Sequence, residues 1–112
     1  MTIVHKELAS GRWFTFPLTV QLANVGSEVE RALRWREKGD SETSWRSFER
    51  ALELLDLTLS DERWRGRRKE ITRIREAVAE FFVGNNTYQE TPESLRAYFL
   101  SFAHASRRDP KS

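Results

Sequence analysis

The sequence predicts an all-α fold: an antiparallel up-down-up-down four-helix bundle with an aromatic N-terminal extension. Three observations carry this. Apolar residues recur at spacings of three and four in four separate segments, the period of a helix that buries one stripe. Alternation at two, the mark of a half-buried strand, is sustained nowhere in the 112 residues. Glycine and proline, Gly26 apart, fall between the four segments rather than inside them.

The first helix is expected from Leu18 to Lys38, with Leu22, Val25, Val29, Ala32 and Leu33 on its stripe. Pro17 suits a helix start and Gly39 a stop. Gly26 lies beside the stripe, where a missing side chain lets another helix approach. The second is expected from Ser41 to Leu59, capped by Asp40 or Ser41. Trp45, Phe48, Ala51, Leu52, Leu55 and Leu59 form its buried face. The short link through Gly39 and Asp40 forces it antiparallel to the first helix. Glu30 with Arg34 and Glu42 with Arg46 make outward i,i+4 pairs.

The third helix is expected from Gly66 to Val83, with Ile71, Ile74, Val78, Phe81 and Phe82 inward and Gly84 as its stop. Asp61 and Glu62 favour an extra turn in the preceding connection. The fourth begins with Thr91 as N-cap and Pro92 as first helical residue. Leu95, Tyr98, Phe99 and Phe102 form its buried face. It should fray near Arg107, ahead of Asp109 and Pro110. Residues 12–107 are thus one bundle domain, 1–11 a flexible leader and 108–112 a disordered tail. The alternative is a pair of long hairpins whose core is completed only in a dimer.

Composition narrows the chemistry. There is no cysteine, which excludes disulfide scaffolds, thiol catalysis and cysteine-bound zinc. No run approaches the roughly 18 apolar residues of a membrane span. The first ten residues hold no apolar stretch of signal-peptide length. A cytoplasmic protein without membrane contact is expected.

The formal charge is +2, but it is unevenly placed. Residues 63–75 hold Arg63, Arg65, Arg67, Arg68, Lys69, Arg73 and Arg75 against the single anion Glu70, a local +6 that leaves −4 on the other 99 residues. Such a segment can neutralise phosphates of RNA or DNA, with Trp64 available to stack on a base. Angular placement opposes this reading. At about 100° per residue Lys69 and Arg73 share one outer face, Arg68 and Arg75 another, and Arg67 points toward the core. The bland reading is a solvated helix start paired with acidic neighbours.

No catalytic set assembles. His5 and His104 lack the Glu three residues earlier that carboxylate-bridged metal bundles use. Glu53 and Asp56 have the spacing of half the magnesium site of the all-α nucleotide pyrophosphohydrolases, but Glu28, Glu30 and Glu37 do not supply the second half. Glu53 should face away from the core, and Asp56 should meet Arg75 or Arg36. Arg96 precedes His104 by eight positions, too far for the Arg-His motif of helical nucleic-acid-cleaving toxins. No cofactor or metal is expected.

Trp13, Phe14 and Phe16 are three aromatics in four residues. They are expected to pack across an end of the bundle or against another subunit. Trp35, Leu57 and Leu100 lie off the main stripes of their helices. Together these six predict a second buried surface, where aromatic residues are favoured. That surface points to a homo-oligomer.

Two resemblances bear on this. The run from Gln21 to Ala32, followed by Trp35 and Glu37-Lys38-Gly39, resembles a group of short, uncharacterised prokaryotic helical proteins. The run from Phe48 to Thr58 and Phe81-Phe82-Val83-Gly84 are similar to the same group. The resemblance implies a shared fold and carries over no functional residue. Size, helix count and basic character also resemble the small basic four-helix-bundle proteins that include accessory subunits of diversity-generating reverse transcriptases. That likeness implies oligomerisation and RNA binding by fold analogy alone. The leading expectation is a non-enzymatic helical-bundle interaction or accessory protein that self-associates or serves a protein partner. The alternative is an RNA- or DNA-binding accessory protein using residues 63–75. A third reading is a metal-dependent nucleotide hydrolase using Glu49, Glu53 and Asp56.

Overall fold

The computed structural model describes residues 11–108. It holds four α-helices: α1 (Leu18–Glu37), α2 (Ser41–Ser60), α3 (Arg68–Val83) and α4 (Pro92–Arg108). Short 3-10 turns cover Arg12–Thr15 and Glu62–Arg67. Among the described residues there is no strand. The expected leader and tail lie outside the described residues except for Gly11 and Arg108, the latter still helical.

The helix boundaries follow from local chemistry. Gly39 takes a φ of +86°, which lets the chain reverse between α1 and α2. The Asp40 side chain then accepts from the Thr43 backbone N–H at 3.0 Å and caps α2. At α4 the Thr91 Oγ1 accepts from the Ser94 N–H at 3.0 Å, while the Thr91 N–H donates to the Ser94 hydroxyl at 2.8 Å. Asp61 caps the second 3-10 turn by accepting from the Arg63 N–H at 3.1 Å. Gly84 is extended rather than left-handed; the positive φ falls on Asn86, whose N–H reaches back to the Glu80 carbonyl at 3.0 Å.

Contacts fix the topology. Ser44 donates to the Ala32 carbonyl, and Trp13 meets Thr58, so α1 and α2 run antiparallel. Phe48 touches Phe82 and Asp56 meets Arg75, so α2 and α3 do too. Arg96 reaches Glu30 and Glu37, and Phe99 lies on Gly26, which sets α4 antiparallel to α1. The result is an up-down-up-down bundle in which α1 packs closely on both α2 and α4, while α3 leans mainly on α2. The α3–α4 side is left as a shallow groove over Ile74, Ala77, Leu95 and Phe99.

One end of the bundle is closed by a buried polar knot. The Gln21 side chain, fully enclosed, donates to the Trp13 carbonyl at 2.9 Å and to Asp61 Oδ2 at 3.1 Å. Its Oε1 accepts from the Trp64 indole N–H at 2.9 Å. Arg63 donates to Asp61 at 2.7 Å and to the Phe16 carbonyl at 2.7 Å. Burial by itself raises the Asp61 carboxyl, but hydrogen bonds from Arg63 and Gln21 together outweigh it, and its pKa lies below the usual aspartate range.

Three side chains depart from the sequence reading. Trp45 is 49 % exposed rather than buried, because it sits one turn into α2, at the rim, where Phe48 backs it. Tyr98 is 40 % exposed because it faces the unclosed α3–α4 side. Glu53 is buried rather than solvated, which the helical period does not account for.

Two predictions follow from packing and from the knot. A Cβ on Gly26 would lie 2.6 Å from the Cβ of Phe99, whereas one on Gly66 would meet nothing within 4 Å. Gly26→Ala should therefore lower unfolding stability by about 1–3 kcal/mol, alanine's helix preference notwithstanding. Gly66→Ala should leave stability unchanged or raise it by up to about 1 kcal/mol. Equal urea midpoints for Gly26→Ala and the parent would contradict the close α1–α4 approach. The folded pKa of Asp61 lies below its unfolded value. Its stabilisation is therefore complete above about pH 4 and is lost as the pH falls through the folded value. Asp61→Asn should cost about 1–3 kcal/mol at neutral pH and shrink the loss seen in acid. Urea unfolding at about pH 7 and about pH 3 measures both; the same acid-side loss in parent and variant would remove Asp61 from the account.

Candidate interaction surfaces

The basic segment is placed by the second 3-10 turn and the first turns of α3. Its cations do not gather on one surface. Arg63 is bound to Asp61 and the Phe16 carbonyl, and its guanidinium lies 4.4 Å from the Trp64 ring centroid. Trp64 is half-buried and tied to Gln21, so its ring is not the free stacking platform the sequence suggests. Arg67 does not enter the core; it is exposed and paired with Glu70 at 3.0 Å. A core position would strip its charge of water, and Glu70, three residues on, holds it outside. Arg68 donates to the Leu59 carbonyl at 3.1 Å and to Glu62 at 3.2 Å. Arg75 meets Asp56 at 2.8 Å. Arg73 lies over Tyr88 at 5.2 Å, Arg65 approaches Glu62 only at 4.0 Å, and Lys69 is exposed. Solvent-facing positive charge therefore reduces to Arg65, Lys69 and Arg73.

The six residues expected at an interface divide. Trp13 is fully enclosed; its indole N–H donates to Thr58 Oγ1 at 3.3 Å, so it belongs to the core and offers no surface. Its ring is large and apolar, and the adjoining end of the bundle gives its N–H a partner. Phe14, Phe16 and Leu57 are half-buried against that core. Trp35 is half-buried, with the Lys38 ammonium 5.0 Å from its ring. Leu100 stands 53 % exposed on α4.

Sequence reasoning missed two outward side chains, Trp45 and Val83. They lie at one end of the bundle, beside a cluster in which Phe48 and Phe82 are 5.1 Å apart and Arg36 sits 4.9 Å over Phe81. Their positions, one turn inside α2 and at the last residue of α3, are the available signal, because helix ends project beyond the layer that covers helix centres.

An open groove of about 490 Å³ lies between α1 and α4. Small residues form it: Ala23, Gly26 and Ser27 on α1 and Ala103 on α4, with Phe99 as floor and Leu100 on the rim. Gly26 brings the two helices together, and Arg96 holds them. Arg96 binds Glu30 at 2.6 Å and Glu37 at 3.0 Å, and these two carboxylates push its pKa above the ordinary arginine value. In return, the Arg96 hydrogen bond holds Glu37 below the usual glutamate range. Arg34 approaches Glu30 at 3.9 Å.

The polar groups of this groove are engaged within the chain. Ser27 Oγ donates to the Ala23 carbonyl at 3.3 Å and has no base beside it. Glu30 and Glu37 are occupied by arginine. Among the described residues no three His, Asp or Glu side chains gather as metal ligands. Asp56 is taken by Arg75, so Glu53 and Asp56 do not open a shared magnesium site. His104 is exposed on α4, and His5 lies outside the described residues. No described helix is long and apolar enough to cross a membrane. Comparison with protein-family models, curated proteins and solved structures finds no match, and the functional reading rests on these surfaces.

Proposed function

We propose that this chain is a non-enzymatic helical-bundle interaction protein that works by self-association. The observation that carries the reading is a set of large apolar side chains left outside the core: Trp45, Val83, Tyr98 and Leu100, each at least 40 % exposed. Single exposed apolar residues are ordinary. Here two of them border concave surfaces, Leu100 on the α1–α4 groove and Tyr98 on the α3–α4 groove. The charged groups lining both grooves are arginines and carboxylates, suited to recognition at an interface rim.

Light scattering or sedimentation on the full chain tests this. Mass should rise above the 13.2 kDa monomer across a micromolar concentration series. A constant 13.2 kDa through that range would sink the reading.

A second reading, an accessory protein that binds RNA or DNA, is favoured by Arg65, Lys69 and Arg73 alone. Three phosphate contacts give affinity that falls with salt at a log–log slope of about −2.7. Titration of a structured RNA at low salt should show that slope, and Lys69→Glu with Arg73→Glu should flatten it. Absent binding, or binding indifferent to both changes, would dismiss the second reading.

A further inference from the structure

The outer face of α4 is self-complementary, and we infer that two copies of this chain pair through it about a two-fold axis passing near Leu100. The inference rests on the self-association reading and names its surface.

The argument begins with spacing. Glu93, Leu100 and Arg107 are all exposed and stand seven residues apart on one 17-residue helix. At about 1.5 Å rise per residue, Glu93 and Arg107 lie roughly 10.5 Å to either side of Leu100. Seven residues is nearly two whole turns, so the three share one face with a drift of only about 20° per step. Ala97 and His104, also exposed, fill the intervening turns. The seam is therefore acidic at its N-terminal end, apolar in the middle and basic at its C-terminal end. Neither Glu93 nor Arg107 is in an ion pair among the described residues.

Such a seam fits itself in only one sense. Laid parallel, two copies put Glu93 on Glu93 and Arg107 on Arg107, and like charges oppose association. Laid antiparallel with Leu100 on the axis, each Glu93 meets the Arg107 of the other copy, twice over. Rotation about that axis also places each α1–α4 groove opposite its counterpart. The two Leu100 side chains then meet near the axis, at the rims of two facing concavities of about 490 Å³ lined by Ala23, Ser27, Ala103 and Phe99. The contact is isologous and closes at two copies. Its apolar centre is small, which sets affinity on the order of micromolar rather than nanomolar.

The absence of cysteine makes the test direct. Leu100→Cys introduces the sole thiol, and a residue near a two-fold axis meets its own copy; mild oxidation should give a disulfide-linked dimer at micromolar concentration. Trp45→Cys, on the far end of α2, should give little. Without oxidation, sedimentation velocity should show Leu100→Asp weakening association about tenfold or more. Glu93→Arg and Arg107→Glu should each weaken it, and the double swap should restore it. Circular dichroism melts confirm that these exposed positions leave the fold intact. Association that persists unchanged in Leu100→Asp and in Glu93→Arg overturns this face while leaving self-association standing. A parent chain that stays monomeric overturns both.

Discussion

The amide of Gln21 is the constraint on which the arrangement of this bundle depends. Fully enclosed, it offers two N–H donors and one carbonyl acceptor, and three segments distant in sequence answer them: Trp13, Asp61 and Trp64. A buried amide without partners costs several times what a satisfied one contributes. The amide is thus satisfied only when the N-terminal turn, α1 and the α2–α3 connection are all in place. It converts three otherwise loose attachments into one cooperative closure. Arg63 extends the knot outward by binding Asp61 and the Phe16 carbonyl, and so fixes the turn that starts the basic segment.

From that end the bundle is built outward along α1, and unevenly. On one side α1 and α2 share a core to which α1 gives Leu22, Val25, Val29 and Leu33 and α2 gives Phe48, Ala51, Leu54 and Leu55. On the other, Gly26 lets Phe99 of α4 press against its backbone. Close packing here is a steric matter, and Arg96 adds a charge-assisted tie to Glu30 and Glu37. Helix α3 has no equivalent hold on α4. A four-helix bundle with three tight sides and one loose one exposes residues that a symmetric bundle would bury, and Tyr98 is the consequence.

Much of this was legible in the sequence, wherever the cause is local. The caps Asp40 and Thr91, the reversal at Gly39, and the i,i+4 pairs Glu30–Arg34 and Glu42–Arg46 depend on neighbours within a turn, and all are present. Gly26 was legible as a place for close approach, though not its partner. The Asp56–Arg75 pair was legible because two antiparallel helices leave a residue at that edge few other cations to meet. What could not be read has long-range causes. The Trp64–Gln21 bond joins residues 43 apart, and nothing in the connection itself marks that tryptophan as held. Trp13 reads as packing either across an end of the bundle or on another subunit, and only the Thr58 hydroxyl, 45 residues on, decides for the former by giving its N–H a partner. The exposure of Trp45 turns on where α2 begins relative to its neighbours, not on its place in the apolar period.

The contrast between the two surfaces singled out from sequence shows what kind of pattern survives folding. Residues 63–75 look like a binding patch because charge is counted along the chain. In space Asp61, Glu70, Glu62 and Asp56 pair with Arg63, Arg67, Arg68 and Arg75, four of the seven cations, and Arg65, Lys69 and Arg73 are left facing solvent. Leu100 is one residue and stands out far less in the sequence. Among the described residues none covers it, because its helix turns it away from the core and toward the rim of the α1–α4 groove. Ionic surfaces can satisfy themselves by rearranging side chains, whereas an apolar knob fixed on a helix can be covered only by something from outside. Among the described residues Leu100 stays exposed on α4, whereas four of the seven cations of the more conspicuous basic segment are paired within the chain.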